Sequence, residues 1–291
     1  MLSNELSRYH RGAGSLVKIF GGERGYFMQF KMFQVDAFAD KLFFGNPAAV
    51  VILHEEIDHH LMQAIAMENN LSETAFVNIN QSPINIRWFT PLAEVRLCGH
   101  ATLAAARVLF ENHLRPPSES ILFQSKSGLL KAYRKSAHIF LDFPADRQLN
   151  RGDKSDAFEI ALGERPSCVF KGKDDYLVIY DAQAQIESIR PNFPQLADFD
   201  GRGVVVSAIG EEFDFVSRCF FPKMGVDEDP VTGSAHTMLT PYWSGQTNKT
   251  KFLARQLSAR GGTLYCHSET DRVLIGGNSR IFFEGTIYCD N

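Results

Sequence analysis

Two junctions in the chain have the same order of a strand, a glycine bend and a helix. A strand pattern leads into the bend CGHA (98–101) in the first half and another into TGSAH (232–236) in the second, and an apolar helical pattern follows each. Two equivalent junctions indicate two equivalent half-domains. If the halves face each other, two helix N-termini direct their free N–H groups into one cleft and form an anion site without an arginine. Because glycine is common at such junctions, coincidence is the alternative at this point.

The rest of the chain is rich in strand patterns and poor in helices. One further helix is predicted after Asp58, which caps it, with an apolar face of Leu61, Met62, Ile65 and Ala66. Strands are predicted where alternating or β-branched apolar residues are bounded by turn residues; these segments are 32–40, 45–53, 72–79, 84–89, 121–125, 138–143, 176–181, 204–209, 214–221, 260–269, 272–277 and 281–287.

The overall composition excludes several classes of function. The chain has 291 residues and a formal net charge of -4 without a basic stripe, so nucleic acid is not an expected partner. No apolar run approaches the roughly 18 residues that span a bilayer. HEEIDHH (54–60) lacks the spacing of a metalloprotease helix, and GGERG (21–25) is not a dinucleotide fingerprint. We therefore expect no metal, no cofactor and no membrane association.

The cysteines are scattered through the chain and are never spaced as C-x-x-C. This pattern argues against a disulfide framework and against a zinc site. The positions are Cys98, Cys168, Cys219, Cys266 and Cys289. A reducing cytosol is the expected location, and the protein is expected to be cytoplasmic.

The first 31 residues lean basic and glycine-rich and lack the apolar core of a secretory signal. We predict an N-terminal extension (1–31) that lies outside the fold. An organellar transit segment is one interpretation. The others are an upstream start codon, with Met28 or Met32 as alternative starts, and an unstructured tail.

Several residues at the bends carry groups that can move protons. Glu73 lies in LSETAF among apolar neighbours that would desolvate its carboxyl and suit it to exchange a proton at neutral pH, but a solvated surface glutamate is the alternative. His100 and Asp229 allow two interpretations, as acid–base groups or as cap and turn residues. Cys98 could act as a nucleophile or as an acid–base thiol. Thr232 occupies the matching position in the second bend, which disfavours a racemase with two thiols.

Five motifs in order resemble the PhzF family of phenazine-biosynthesis-like proteins: DAFADKLFFGNPAAV, LSETAFV, RWFTPLAEVRLCGHAT, GVDEDPVTGSAH and RQLSARGG. The similarity runs from about Met32 to the C-terminus. It implies an α+β fold like that of diaminopimelate epimerase, with two pseudo-symmetric halves, each a β-barrel-like sheet wrapped round a central helix, and the active site between them. We predict half-domains at 32–145 and 146–278, with the strand 279–291 completing the first.

The resemblance also implies roles for individual residues. The glutamate of the S-E-T motif is the proton-shuttling residue of that family and corresponds to Glu73. The other predicted catalytic residues are His100, Asp229 and Ser234, and the predicted substrate contacts are Asn46, Cys98, Gly99, Thr232 and Gly233.

The predicted function is a cofactor-independent isomerase that moves a proton on a small, cyclic or conjugated, carboxylic acid. Family membership indicates the reaction type more securely than the substrate. The alternative is a non-catalytic metabolite-binding or interaction protein on the same scaffold. A small carboxylic acid is the expected partner, and a homodimer is compatible with the sequence.

Overall fold

The computed structural model describes residues 15–20, 23–116, 118–152 and 154–290. Within the predicted N-terminal extension, strands β1 (Ser15–Phe20) and β2 (Glu23–Ala37) pair antiparallel, and residues 1–14, 21 and 22 lie outside the described residues. The proposed boundary at residue 32 falls inside β2. The division into half-domains stays a prediction.

The first half contains a set of paired strands and two helices. Its strands are β2, β3 (Asn46–Leu53), β4 (Glu73–Asn78), β5 (Ile84–Phe89), β6 (Glu94–Val95), β7 (Ile121–Ser125), β8 (Gly128–Lys135) and β9 (His138–Pro144). Its helices are α1 (His59–Asn69) and α2 (Gly99–Glu111), and the Asp58 side chain caps α1 by accepting from the His60 N–H at 2.8 Å. The predicted helix after Asp58 is thus confirmed.

The second half has the same kind of construction. Its strands are β10 (Asn150–Arg151), β11 (Cys168–Lys171), β12 (Tyr176–Ile179), β13 (Val204–Ile209), β14 (Phe215–Phe220), β15 (Lys251–Gln256), β16 (Gly262–Ser268) and β17 (Arg272–Gly277). Its helices are α3 (Ser155–Leu162), α4 (Gln183–Ser188), α5 (Phe193–Ala197), a 3-10 turn (Pro222–Met224) and α6 (His236–Thr247). Helices α3, α4 and α5 were not predicted, because each is too short to show a helical period clearly.

The order of strand pairing is the same in both halves. In the first half, strand pairing begins with β2–β3 antiparallel, β3–β4 parallel and β4–β5 antiparallel. It continues with β5–β7 parallel and then β7–β8 and β8–β9 antiparallel. The order repeats from β11 to β17. Antiparallel pairing of β9 with β17 joins the halves, and the last strand, β18 (Ser279–Asp290), pairs with β2. The predicted pseudo-symmetric α+β fold is confirmed.

One apolar helix lies inside each half. Helix α2 contacts β2, β3, β4, β8, β9 and β18, and its alanines, including Ala101, Ala104 and Ala105, are fully buried. Small side chains let the surrounding sheet approach the helix closely, and α6 has the equivalent place against β16 and β17. None of the helices in the described part of the chain is long and apolar enough to span a membrane.

Candidate active site

The two glycine bends meet between the halves. A Cβ atom added to Gly99 would lie 3.5 Å from Gly233 Cα and 3.7 Å from Ser234 N, and one added to Gly233 would lie 3.6 Å from Gly99 Cα. The two similar junctions in the sequence therefore correspond to two backbone segments in contact, at the N-terminal ends of the central helices α2 and α6.

Both bends present backbone N–H groups. The first intrahelical bond of α2 runs from Thr102 N to Cys98 O at 3.2 Å, so the preceding N–H groups, those of Gly99, His100 and Ala101, have no partner inside the helix. Within the described residues, no acceptor is found for the N–H groups of Gly233 and Ser234. The converging helix starts form a positive, donor-rich surface suited to a carboxylate.

Glu73 and His100 form the closest acid–base contact of the site. Glu73 begins β4, and its Oε2 lies 3.1 Å from His100 Nε2, within ion-pair distance. Both atoms are buried, yet they are not aligned for a hydrogen bond, with each other or with any other described residue. A proton donor and a proton acceptor are therefore adjacent, and each has a hydrogen-bonding capacity that no described residue uses.

The other ring nitrogen of His100 faces Cys98 and Asn46. His100 Nδ1 lies 3.5 Å from Cys98 Sγ and 3.2 Å from Asn46 Nδ2. Burial and the Glu73 carboxylate raise the pKa of Cys98 to about 11, so the thiol is uncharged near neutral pH. Burial lowers the pKa of His100, but Cys98 and the Glu73 carboxylate outweigh it and hold the pKa well above its ordinary value. Glu73 is thus one of the two neighbours that favour the protonated form of His100.

Asp229, a residue of the second half, also contacts the side-chain amide of Asn46. Asn46 Nδ2 donates to Asp229 Oδ1 at 2.8 Å and to Val231 O at 3.0 Å, and the Thr232 hydroxyl donates to Asp229 Oδ2. Burial, with a smaller contribution from Glu73, raises the pKa of Asp229 to about 6 against the opposing effects of His100 and of the hydrogen bonds from Thr232 and Asn46. Asp229 can therefore change its charge close to physiological pH.

The structure brings the predicted residues together: Glu73, Cys98, Gly99 and His100 from the first half, Asp229, Thr232, Gly233 and Ser234 from the second, and Asn46, whose amide nitrogen contacts His100 and Asp229. Two further residues beside the site were not predicted from the sequence. Arg202, paired with Asp175, reaches Ser234 Oγ at 3.4 Å, and the fully buried Gln256 bonds to Asp229 and Thr232. Gln256 lies in RQLSARGG, a motif that was recognised but given no role, whereas nothing in GRG (201–203) marks Arg202.

One group of side chains among the described residues could in principle hold a metal ion. Glu73, Cys98 and His100 offer ligand atoms that lie within 4.8 Å of one another. Metal binding requires deprotonated thiol and imidazole groups, and the raised pKa values of Cys98 and His100 work against this. The donor set fits a proton-transfer site better than a metal centre.

Comparison with known proteins gives consistent matches. The family model PhzC-PhzF, described as phenazine biosynthesis-like protein, matches residues 35–285. An uncharacterized isomerase of Pseudomonas aeruginosa is 48% identical over 89% of this chain and 99% of its own. The human phenazine biosynthesis-like domain-containing protein is 38% identical over the same shares of the two chains.

Solved structures show the same fold. A PhzF family protein of Enterococcus faecalis has a TM-score of 0.86 at 43% identity and covers 90% of this chain and 100% of its own. A hydroxyproline epimerase from Agrobacterium vitis has a TM-score of 0.59 at 10% identity over 90% and 93%, which shows a shared fold alone. The predicted enzyme class agrees with the names of the isomerase relatives.

Proposed function

Because the chain belongs to the PhzC-PhzF family of phenazine biosynthesis-like proteins, we propose that it is an isomerase that moves a proton on a small, cyclic or conjugated, carboxylic acid. Glu73 carries the proton, and no cofactor takes part. The observation that carries the proposal is the Glu73–His100 contact: buried Oε2 and Nε2 atoms 3.1 Å apart, neither with a hydrogen bond, beside two converging helix starts.

The substrate carboxylate binds at the bends. The N–H groups of Gly99 and His100 from α2, and of Gly233 and Ser234 from the second bend, donate to its oxygens, and the positive ends of the helices stabilise its charge. Negative charge that develops on the acid during proton removal is stabilised by the same groups, which is the preorganised electrostatic stabilisation that enzymes use most.

The proton is removed from one carbon of the substrate and returned to another carbon of the same molecule. Glu73 removes a proton from a carbon of the conjugated acid, and the electron pair of that C–H bond spreads into the conjugated system and the carboxylate. The protonated Glu73 returns the proton to a different carbon, so that one double bond shifts and no electron acceptor is required. The His100 imidazolium and the Asp229 carboxyl orient the substrate and balance the charge.

The proposal also includes the cellular compartment, the oligomeric state and the biological role. All five cysteines are free, which supports a reducing compartment such as the cytosol. A homodimer and a role in biosynthesis belong to the proposal as well; the mass of the particle in solution tests the first.

Incubation with cyclic and conjugated carboxylic acids in deuterated water tests the function. The expected result is an isomer of one acid, of unchanged mass apart from deuterium at the carbon that receives the proton. A screen in which acids bind, as seen by thermal shift, but none is converted or deuterated would contradict the proposal and favour the non-catalytic binding protein.

A further inference from the structure

We infer that Gln256 is a positioning residue of the site: it turns the Thr232 hydroxyl toward Asp229, holds that carboxyl in place and favours its ionised form. The inference rests on the proposed function of the site, to which it adds a residue outside the predicted set. Gln256 is the last residue of β15 and is fully buried. It touches neither Glu73 nor His100 in any described hydrogen bond, so it acts through Thr232 and Asp229.

The neighbours of the Gln256 amide determine its orientation. The backbone N–H of Thr232 can only donate, and it lies 2.8 Å from the Oε1 atom. The backbone carbonyl of Asp229 can only accept, and it lies 2.7 Å from the Nε2 atom. Both contacts require the same orientation, so the amide oxygen and nitrogen are assigned by chemistry.

The orientation of the amide determines the direction of the Thr232 hydroxyl. The second N–H of Gln256 Nε2 donates to Thr232 Oγ1 at 3.2 Å. Because the hydroxyl accepts there, its own single hydrogen is left to donate, and the atom facing it is Asp229 Oδ2. A chain of hydrogen bonds thus runs from Gln256 through Thr232 to one oxygen of Asp229, while Asn46 donates to the other oxygen at 2.8 Å.

The hydrogen bonds that run from Gln256 through Thr232 affect the charge of Asp229. A donor to a carboxylate favours the ionised form, whereas burial favours the protonated form. The titratable groups that face Asp229 come from three elements: Glu73 of β4 disfavours its charge, His100 of α2 favours it, and Cys219 of β14 is an uncharged thiol beside the Thr232 hydroxyl. The Thr232 and Asn46 donors and His100 therefore oppose burial and Glu73.

A merely structural role for Gln256 makes a different prediction. The amide also ties β15 to the second bend, and its removal would lower stability in either case. Only the positioning role requires the titration of Asp229 to move as well. The titration is followed without substrate, by carbon NMR of protein labelled at the aspartate carboxyl, with the Asp229 resonance assigned by its absence in Asp229→Asn. Failure of the proposed isomerase reaction would leave this measurement unaffected.

In Thr232→Val, the midpoint of Asp229 is expected to rise by about one pH unit, as befits the loss of one hydrogen bond to a charged group. In Gln256→Met it should rise by a smaller amount, because the Thr232 hydroxyl remains but is no longer turned toward the carboxylate. Thr232→Ser keeps the hydroxyl and should restore the wild-type midpoint. Ser207→Ala is the matched control, because Ser207 is also fully buried in the second half and bonds to Val216 O and to Trp243; its midpoint should equal that of the wild type. An unchanged midpoint in Gln256→Met would overturn the inference.

A measurement on the wild-type protein keeps the inference testable if Gln256→Met does not fold. The side-chain amide protons of Gln256 and the hydroxyl proton of Thr232 should be protected from exchange with water, and their resonances should shift with the same midpoint as the Asp229 carboxyl. Resonances that stay fixed while Asp229 titrates would show that the three groups are not connected.

Discussion

At the scale of single residues, the thiol of Cys98 shows how burial limits chemistry. It lies at the N-cap of α2, where a helix start by itself favours a thiolate. Burial and the nearby Glu73 carboxylate outweigh that effect and raise its pKa to about 11. We therefore expect Cys98 to act as a packing and hydrogen-bonding partner of His100 rather than as a nucleophile.

Cys98→Ala should accordingly keep a substantial share of turnover, within about tenfold of wild type, a smaller loss than removal of a general acid or base causes. Steady-state rates on the acid identified by the deuterium screen measure this. Cys266→Ala, which removes another buried thiol in the second half, is the control. A covalent adduct on Cys98, or complete loss of turnover with an intact fold, would show nucleophilic catalysis instead.

His236 has the opposite electrostatic situation to His100. It is fully buried at the start of α6, where its Nδ1 lies 2.9 Å from Thr232 O, and burial lowers its pKa from 6.5 to about 4. The unfolded chain therefore binds this proton first. The contribution of uncharged His236 to the free energy of unfolding is fully present above about pH 6.5. It is lost as the pH falls toward about 4.

His236→Gln cannot take up that proton. Between about pH 7 and about pH 4.5, the free energy of unfolding should fall by about 2–3 kcal/mol less in the variant than in wild type, as measured in urea. Thr240→Val, a buried change in the same helix that introduces no titratable group, should change stability equally at both pH values. Parallel curves for wild type and His236→Gln would show that the folded and unfolded states bind the His236 proton equally, so that burial does not lower its pKa.

At the scale of secondary-structure elements, the contact between the starts of α2 and α6 determines what can bind. The added Cβ of Gly99 would meet its nearest neighbours at 3.5 to 3.7 Å, which is ordinary van der Waals contact. A methyl group there is tolerated by the fold but occupies space between the two sets of N–H groups.

Gly99→Ala should therefore weaken the binding of a carboxylate probe, benzoate, by about tenfold or more, equal to about 1.4 kcal/mol, while the melting temperature changes little. Calorimetric titration measures the affinity. Gly245→Ala is the matched control, because a Cβ there meets no atom within 4 Å. Equal affinities in the two variants would mean that the carboxylate does not bind between the bends.

The sequence predicted most of these elements and the pairing of the bends, because strand alternation and glycine junctions are local signals. The resemblance supplied Glu73 and the residues around it. Arg202 and Gln256 could not be found in this way, since their roles depend on strands β13 and β15 lying beside the second bend. The proximity of Glu73 Oε2 to His100 Nε2 likewise depends on tertiary structure alone.

At the scale of the whole molecule, contacts across the two halves fix the cleft. Arg260 of the second half donates to Gly45 O and to Asp36 Oδ1, each at 2.8 Å, and Gly45 N donates to Gly261 O at 2.7 Å. The Asp36 side chain is 3% exposed. These bonds hold the loop before Asn46, the residue that contacts both His100 and Asp229.

Arg260→Met leaves the Asp36 carboxylate buried without its cation, which should cost about 2–3 kcal/mol of unfolding free energy, less than the loss of a fully buried pair because Arg260 is 32% exposed. Replacing Asp36 by Asn in the same protein should recover part of this loss. Arg272→Met is the matched control, since Arg272 and Asp142 also link the halves but are 36% and 26% exposed, and its cost should stay below about 1 kcal/mol. Equal losses in urea unfolding would contradict a structural role for the buried pair.

The central claim is that Glu73 carries the proton. Glutamine keeps the size of the side chain and one acceptor oxygen but cannot carry a proton, so Glu73→Gln should leave folding and benzoate binding nearly intact. The same substitution at the exposed Glu68 of α1 is the control and should be neutral.

The most direct test is the rate of turnover, with deuterium incorporation, of Glu73→Gln beside wild type and Glu68→Gln on the acid identified by the screen. Loss of general acid–base catalysis predicts a fall of about 10²- to 10⁴-fold in both readouts for Glu73→Gln alone. A Glu73→Gln variant that retains more than about a tenth of the wild-type rate, a smaller loss than the least expected for a general base, would contradict the account.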